Sequence, residues 1–137
     1  MGKVLVIDGQ GGGVGKSLVH AIKALLPGQE VIAIGTNAAA TGTMLRAGAD
    51  KGATGENALI YQCQQADIIV GVMGILIANA MMGEISPAMA AAVSASPAQK
   101  VLIPMEQCGL HVAGIQAQPL DRLVQEAAVK VQALCEG

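Results

Sequence analysis

The chain has 137 residues, of which 53% are hydrophobic and 13% charged, and its formal net charge is −2. This length suits a single domain over residues 1–137 with one sizeable core. The low net charge with scattered Lys and Arg gives no electrostatic argument for a nucleic-acid partner, and no uncharged run reaches the roughly 18–20 residues that span a bilayer.

The cysteine spacing and the near absence of aromatic residues narrow the class of protein further. The three cysteines lie too far apart for a disulfide framework, so we expect reduced thiols and a cytoplasmic protein. No charged-then-apolar leader precedes the first strand, so we expect no signal peptide. Phe and Trp are absent, and the core must be built from Ala, Val, Ile, Leu and Met. A surface so poor in charge also predicts a covering partner subunit, as in a homodimer.

The first half of the chain alternates buried strands with helices. The runs "KVLVID" (3–8) and "EVIAIG" (30–35) are continuously apolar, which is typical of strands covered on both faces. Between them, apolar residues recur at helical spacing: Val14, Leu18, Ile22 and Leu25. A short helix at 39–47 follows, and "ADKGAT" (49–54) leaves room only for a brief edge strand.

The second half continues this alternation. The pattern predicts a helix over "ENALIYQCQQ" (56–65), a strand over "DIIVGV" (67–72) and apolar helical turns through Met82. Ser86 and Pro87 are typical of an N-cap and a first helical residue. The last predicted elements are a strand "KVLIPM" (100–105), a possible short strand "HVAGI" (111–115) and a helix over 119–135.

This order of elements predicts an α/β fold. Because crossovers between parallel strands are right-handed, we expect a Rossmann-like, doubly wound, mostly parallel sheet of five or six strands in three layers. The expected strand order is 3-2-1-4-5, with a possible sixth strand.

The glycine-rich loop in "VIDGQGGGVGKSLV" (6–19) admits two interpretations. A Walker A loop, which wraps the phosphates of ATP, needs a Gly five residues before Gly15, but Gln10 lies there. The two-lysine variant of that loop fails because Gly11 occupies the position of its signature lysine. No later strand ends in an Asp that would hold Mg²⁺. ATP therefore remains only the alternative ligand.

The spacing Gly-x-x-x-Gly-x-Gly does fit, as Gly9, Gly13 and Gly15, and it resembles the first turn of short-chain dehydrogenases. Gly9 would allow a sharp turn, Gly13 a close approach to pyrophosphate, and Gly15 close packing of the helix on the sheet. We expect the loop amides and the positive end of the helix dipole to bind the phosphates. The candidate residues are Gly9, Gln10, Gly11, Gly12, Gly13, Val14, Gly15 and Lys16.

The end of the second strand bears on the choice between NADP and NAD. No acidic residue follows that strand, whereas Thr36, Asn37 and the more distant Arg46 suit a 2′-phosphate. Capping of the next helix explains Thr36 and Asn37 equally well. Gly71 and Gly74, at the end of the fourth strand, would leave room for an adenine ring or a ribose.

The sequence contains no complete set of catalytic residues of a known type. In short-chain dehydrogenases a Lys lies four residues after the reactive Tyr, but Gln65 holds that position after Tyr61. Weak candidates follow the fifth strand: Glu106, Cys108 and His111. Cys108 and His111 fit either a thiolate–imidazole pair or half of a metal site. Cys63 is a possible third neighbour, but the sequence shows no further ligands. We therefore expect no metal.

Four segments together resemble a family of short bacterial proteins classed as a domain of unknown function: "IDGQGGGVGK", "GTNAAAT", "AGADKGATGENA" and "GEISPAMA". The resemblance implies a Rossmann-like fold and no particular activity. Our main hypothesis is a small protein that binds NADP, NAD or a related adenine nucleotide. The alternatives are an enzyme acting on a phosphorylated small molecule, a P-loop-like ATP-binding protein, and a structural or interaction subunit.

Overall fold

The structure, a computed structural model, describes residues 2–107 and 109–137. The strands of these two segments are β1 (Val4–Asp8), β2 (Val31–Gly35), β3 (Lys51–Thr54), β4 (Ile68–Val72) and β5 (Gln99–Ile103). Their α-helices are α1 (Gly13–Leu25), α2 (Ala38–Arg46), α3 (Glu56–Cys63), α4 (Pro87–Ala95) and α5 (Leu120–Glu136). Within these residues, no helix has the length and apolar character needed to cross a membrane.

The five strands form one parallel sheet in the order β3-β2-β1-β4-β5, which confirms the predicted fold class and strand order. In the register, Val4 of β1 lies opposite Val31 of β2 on one side and Ile68 of β4 on the other. The direction of winding therefore reverses at β1. In open α/β sheets the carboxyl ends of the strands at such a reversal border a crevice where ligands bind.

Two apolar clusters cover the two faces of the sheet. Val4 and Val6 of β1 pack with α1, α2 and α5 on one face, while Leu5 and Ile7 pack with α3 and α4 on the other. Successive strand residues point to opposite faces, so a strand buried on both sides is apolar at every position. Aliphatic side chains and Met fill both layers.

The predicted helical turns through Met82 are wrong beyond Leu76. A short 3₁₀ turn covers Met73–Leu76, and the backbone then takes positive φ at Asn79 (+68°), Met81 (+58°) and Met82 (+57°). Left-handed residues cannot continue a right-handed helix. Residues 77–86 form instead a compact connection, here called the β4–α4 loop, that leads to α4. Ser86 and Pro87 begin α4 as predicted, with Ser86 Oγ accepting a hydrogen bond from the Met89 amide (3.1 Å).

The possible sixth strand over 111–115 is also wrong. In the described part of this run the backbone forms a turn, with Gly114 at φ +82°. Most of its residues are exposed, so no buried face holds the run against the sheet. The predicted boundaries of the remaining elements differ from the observed ones by one or two residues.

Candidate functional site

The glycine loop joins β1 to α1 at the carboxyl edge of the sheet, and Asp8 fixes its shape. Asp8 Oδ1 accepts a hydrogen bond from the Gly9 amide (2.8 Å), and Oδ2 accepts one from the Gly15 amide (2.6 Å). The residue is 6% exposed. Burial raises the pKa of Asp8, the two amides oppose that rise, and the negative charge of Glu84 adds to it. One buried carboxylate thus ties the end of β1 to the first turn of α1.

Three glycines of the loop are required by the fold. A Cβ at Gly15 would lie 2.5 Å from Met44 Sδ and 2.8 Å from Asp8 Cβ. Gly12 has φ +79°, and a Cβ at Gly9 would lie 2.7 Å from Glu84 Oε1. The close packing of α1 on the sheet at Gly15 and the sharp turn at Gly9 agree with the roles inferred from the spacing.

Gly11 and Gly13 differ from these three. A Cβ at either position would meet no atom within 4 Å, and neither residue has a positive φ. Both are exposed. Among the hydrogen bonds of the described residues, none is donated by the amides of Gly11, Gly13 or Val14. These three N–H groups, at or just before the start of α1, have no acceptor among the described residues.

The start of α1 receives one carboxylate from β1, that of Asp8 on the Gly15 amide. Its N-cap is Gly12, no side chain caps it, and no acidic residue lies in its first turn. Asp8 thus satisfies one amide of the first turn, and the amides of Gly13 and Val14 remain for another acceptor.

Glu84, on the β4–α4 loop, covers the adjoining side of the glycine loop. Its Oε1 accepts hydrogen bonds from the Gln10 amide (2.7 Å), Thr36 Oγ1 (2.5 Å) and Asn37 Nδ2 (3.2 Å). The amide of Gln10 and the hydroxyl of Thr36 lower the pKa of Glu84, with a smaller contribution from Asn37, so the carboxylate is ionised at neutral pH.

Thr36 and Asn37, predicted to hold a 2′-phosphate, thus bond to a carboxylate of the chain. Asn37 also caps α2, because its Oδ1 accepts a hydrogen bond from the Ala40 amide (2.9 Å). The sequence reasoning missed Glu84. The signal available was its place in the connection after β4, because the topology puts that connection at the carboxyl edge.

A cleft of about 370 Å³ opens at the reversal of winding, and we call it the switch-point cleft. Its floor is formed by strand ends: Asp8 of β1, Val72 of β4 and the end of β5 at Ile103. Val14 and Leu123 add apolar walls, and polar groups enter from three glutamines, Gln10, Gln107 and Gln118. Apolar walls with a few convergent polar groups are typical of small-molecule sites.

Gly71 and Gly74 leave no room for a ligand, which corrects the sequence interpretation. A Cβ at Gly71 would lie 2.9 Å from both the Ile7 carbonyl oxygen and Ile75 Cδ1. At Gly74 the Met105 sulfur occupies the space, 3.0 Å away. The two glycines serve internal packing.

The two described catalytic candidates lie outside the switch-point cleft. Glu106 and His111 are exposed, and neither lines the switch-point cleft. Cys108 lies outside the described residues. Cys63 is buried at the end of α3, and burial raises the pKa of its thiol to about 11, so it is an unreactive thiol at neutral pH.

Lys16, in the first turn of α1, and Arg46 do not line the switch-point cleft. Both line a groove of about 780 Å³ on the outer surface of α1, α2 and α5, together with His20. Leu120 borders both this groove and the switch-point cleft, so the two depressions adjoin near the start of α5.

Solved structures support the fold. The chain is similar to a dodecameric FMN-dependent Ubix-like decarboxylase from Escherichia coli O157:H7, with 15% identity and a TM-score of 0.52, covering 100% of this chain and 95% of that one. It is also similar to AibC, with 21% identity and a TM-score of 0.51, covering 96% of this chain but only 39% of AibC. At such identities the likeness shows a common fold.

None of the curated proteins matches the sequence. A family model described as "Domain of unknown function (DUF3842)" matches residues 3–136, which confirms the resemblance seen in the sequence. The chain belongs to the DUF3842 family.

Proposed function

We propose that the protein binds a nucleotide at the carboxyl edge of the sheet, with its phosphate on the amides of Gly11, Gly13 and Val14. The observation that carries this proposal is that Gly11 and Gly13 have no steric or conformational reason to be glycine. A side chain at either position would stand over the unpaired amides, so glycine keeps them open to a ligand.

The chain's own carboxylates limit how a phosphate can bind. Asp8 occupies the amides of Gly9 and Gly15, and Glu84 occupies that of Gln10. The Gly12 amide donates to the Gly9 carbonyl (2.9 Å). A phosphate wrapped by successive amides, as in an ATP-binding P-loop, would have to displace these bonds. A phosphate resting on the three remaining amides displaces none, which favours a dinucleotide over ATP.

The switch-point cleft suits the ring of such a ligand. It adjoins the glycine loop through Asp8, Gln10 and Val14 and lies where doubly wound sheets bind nucleotides. Val72 and Ile103 contact an apolar ring face, while glutamine amides bond to its edge.

Glu84 favours NAD over NADP. Its Oε1 already accepts three hydrogen bonds, and the described residues give its Oε2 no donor. An ionised carboxylate with an available oxygen accepts bonds from the hydroxyls of a ribose, whereas it repels a 2′-phosphate. Glu84 thus supplies, from the β4–α4 loop, the acid that the end of β2 lacks.

The homodimer expected from the charge-poor surface stays a prediction. Tyr61 and Val129 are among the large apolar side chains that remain exposed on the single chain, at 56% and 49%.

The test is calorimetric titration of the protein with NAD, NADP, FMN and Mg²⁺-ATP. FMN is included because the Escherichia coli neighbour is described as FMN-dependent. We expect NAD to bind more tightly than NADP, and Gly13→Ala to weaken NAD binding at least tenfold, about 1.4 kcal/mol. A methyl at position 13 has open space, so Gly13→Ala folds normally.

Gly28→Ala is the matched control. Gly28 is another exposed glycine with no neighbour within 4 Å of a Cβ, in the turn after α1 and away from the loop. Equal NAD affinities of Gly13→Ala and Gly28→Ala would refute the proposed phosphate site, and tight Mg²⁺-dependent binding of ATP would refute the choice of a dinucleotide.

A further inference from the structure

We propose that the groove on the outer surface of α1, α2 and α5, here called the basic groove, is a second binding site that takes a small organic molecule carrying a phosphate monoester. Its basic side chains are Lys16 and His20 of α1 and Arg46 of α2. This site does not depend on the nucleotide site proposed above.

Lys16 and Arg46 have almost no partners among the described residues, which is also true of Arg122 and Lys130. Ion pairs in the described part of the chain join Lys23 to Asp50 (2.9 Å) and Lys51 to Glu30 (3.3 Å). Lys16 makes no ion pair or side-chain hydrogen bond with those residues, and Arg46 makes only a 3.5 Å contact from Nη2 to Thr43 Oγ1. Guanidinium and ammonium donors remain available for an anion.

The geometry of Arg46 brings its charge toward the glycine loop. Its guanidinium folds back along α2 and lies beside Gly42. Arg46 Nη1 is 3.3 Å from the position that a Cβ would take at Gly42. Thr43, which it contacts, packs against Gly12, whose Cβ position lies 3.2 Å from Thr43 Cβ. Lys16 is in the first turn of α1, so both cations flank the positive end of that helix.

The opposing charge in the basic groove comes from Asp121. Its Oδ1 accepts a hydrogen bond from the Arg122 amide (3.0 Å) at the start of α5, and it forms no ion pair with Lys16 or Arg46. Counting His20 as neutral, two cations face one carboxylate that is already bonded to a helix amide. The excess is positive in a protein whose net charge is −2.

The remaining lining favours a ligand with a carbon skeleton over a simple ion. Ala21, Leu120 and Val124 form an apolar floor and wall beside the cations. A volume of about 780 Å³ lies within the roughly 300–1,000 Å³ of small-molecule sites. A phosphate at the Lys16–Arg46 end with a carbon skeleton on the apolar floor matches both parts of the lining.

The test is a titration of the ¹⁵N-labelled full chain with inorganic phosphate, followed by amide chemical shifts. We expect saturable shifts at Lys16, Ser17 and Arg46, and at least a tenfold weaker dissociation constant in Arg46→Gln. Arg122→Gln, which removes an exposed arginine on another face of α5, is the matched control and should bind as the wild type does. Absence of saturation at these amides, or equal binding by the two variants, would overturn the proposal.

A second arm identifies the molecule that carries the phosphate. If the phosphate belongs to a separate ligand, 2′,5′-ADP binds no better than 5′-AMP, and Arg46→Gln changes neither affinity. If 2′,5′-ADP binds more tightly than 5′-AMP and Arg46→Gln removes that gain, the nucleotide itself carries the phosphate that binds in the basic groove. This result supports a phosphate site in the basic groove and contradicts the choice of NAD. Gly13→Ala weakens phosphate binding at the glycine loop and leaves the saturable shift at Arg46 unchanged, so failure of one site is distinguishable from failure of the other.

Discussion

Asp8 and Glu84 are two carboxylates that bind different amides of the glycine loop. Asp8 is buried and holds Gly9 and Gly15, so it determines where the loop begins and ends. Glu84 is ionised and reaches the loop from a distant segment, 74 residues from Gln10 along the chain. Between them they leave open the amides of Gly11, Gly13 and Val14, and that selection defines the candidate site.

At this scale the glycines separate into two groups that stability measurements distinguish. Gly15→Ala places a methyl against Met44 Sδ and Asp8 Cβ. Overpacking of this kind costs about 1–3 kcal/mol, and the backbone of Asp8 cannot move without straining β1. Urea unfolding should show that loss for Gly15→Ala and a change within about 0.5 kcal/mol for Gly13→Ala. Equal losses in both variants would show that Gly13 is structural, which would remove the basis of the phosphate site.

The spacing of the glycines was sufficient to predict the turn at Gly9 and the close helix at Gly15. It could not show that Asp8 takes the Gly15 amide or that Glu84 takes the Gln10 amide, because both depend on contacts that the local pattern does not contain. The same limit applies to Gly71 and Gly74, whose neighbours Ile7 and Met105 belong to other strands or loops.

At the scale of elements, the amino edge of the sheet is joined by Asp50, just before β3. Its Oδ2 accepts hydrogen bonds from the Val31 amide at the start of β2 (2.8 Å) and from Lys23 Nζ of α1 (2.9 Å). The Val31 amide, and then Lys23, lower the pKa of Asp50 below its usual 3.8.

This lowered pKa predicts a pH-dependent stability. Because the folded state favours the ionised form, the contribution is complete above the unfolded pKa of 3.8 and is lost as the pH falls through the lower folded pKa. Asp50→Asn keeps a neutral acceptor and removes the charge. We expect it to be less stable than the wild type by about 1 kcal/mol at pH 7, with the difference shrinking below pH 3.8. A difference that stays constant down to pH 2 would contradict the assignment.

Strands and long helices were predictable because burial on two faces makes a strand apolar throughout and burial on one face gives a helix its period. The β4–α4 loop was not, although its composition is as apolar as that of a helix. Its left-handed residues, Asn79, Met81 and Met82, are held by contacts made elsewhere, including the bond from Gln10 to Glu84. Apolar periodicity alone cannot reveal such a tertiary constraint.

At the scale of the molecule, parallel strands with right-handed crossovers leave few topologies, so the order β3-β2-β1-β4-β5 followed from the alternation of elements. That order places the switch-point cleft beside the glycine loop without further information. Which side chains enter the cleft did not follow, because Gln107 and Gln118 belong to an irregular connection between β5 and α5.

The central claim is that open amides at the start of α1 receive a nucleotide phosphate. A crystal structure of the protein grown with NAD tests it most directly. We expect a phosphate oxygen within hydrogen-bond distance of the Gly11 and Gly13 amides, with Asp8 still bonded to Gly15. NAD bound elsewhere, or a phosphate seated on the Gly15 amide in place of Asp8, would contradict it.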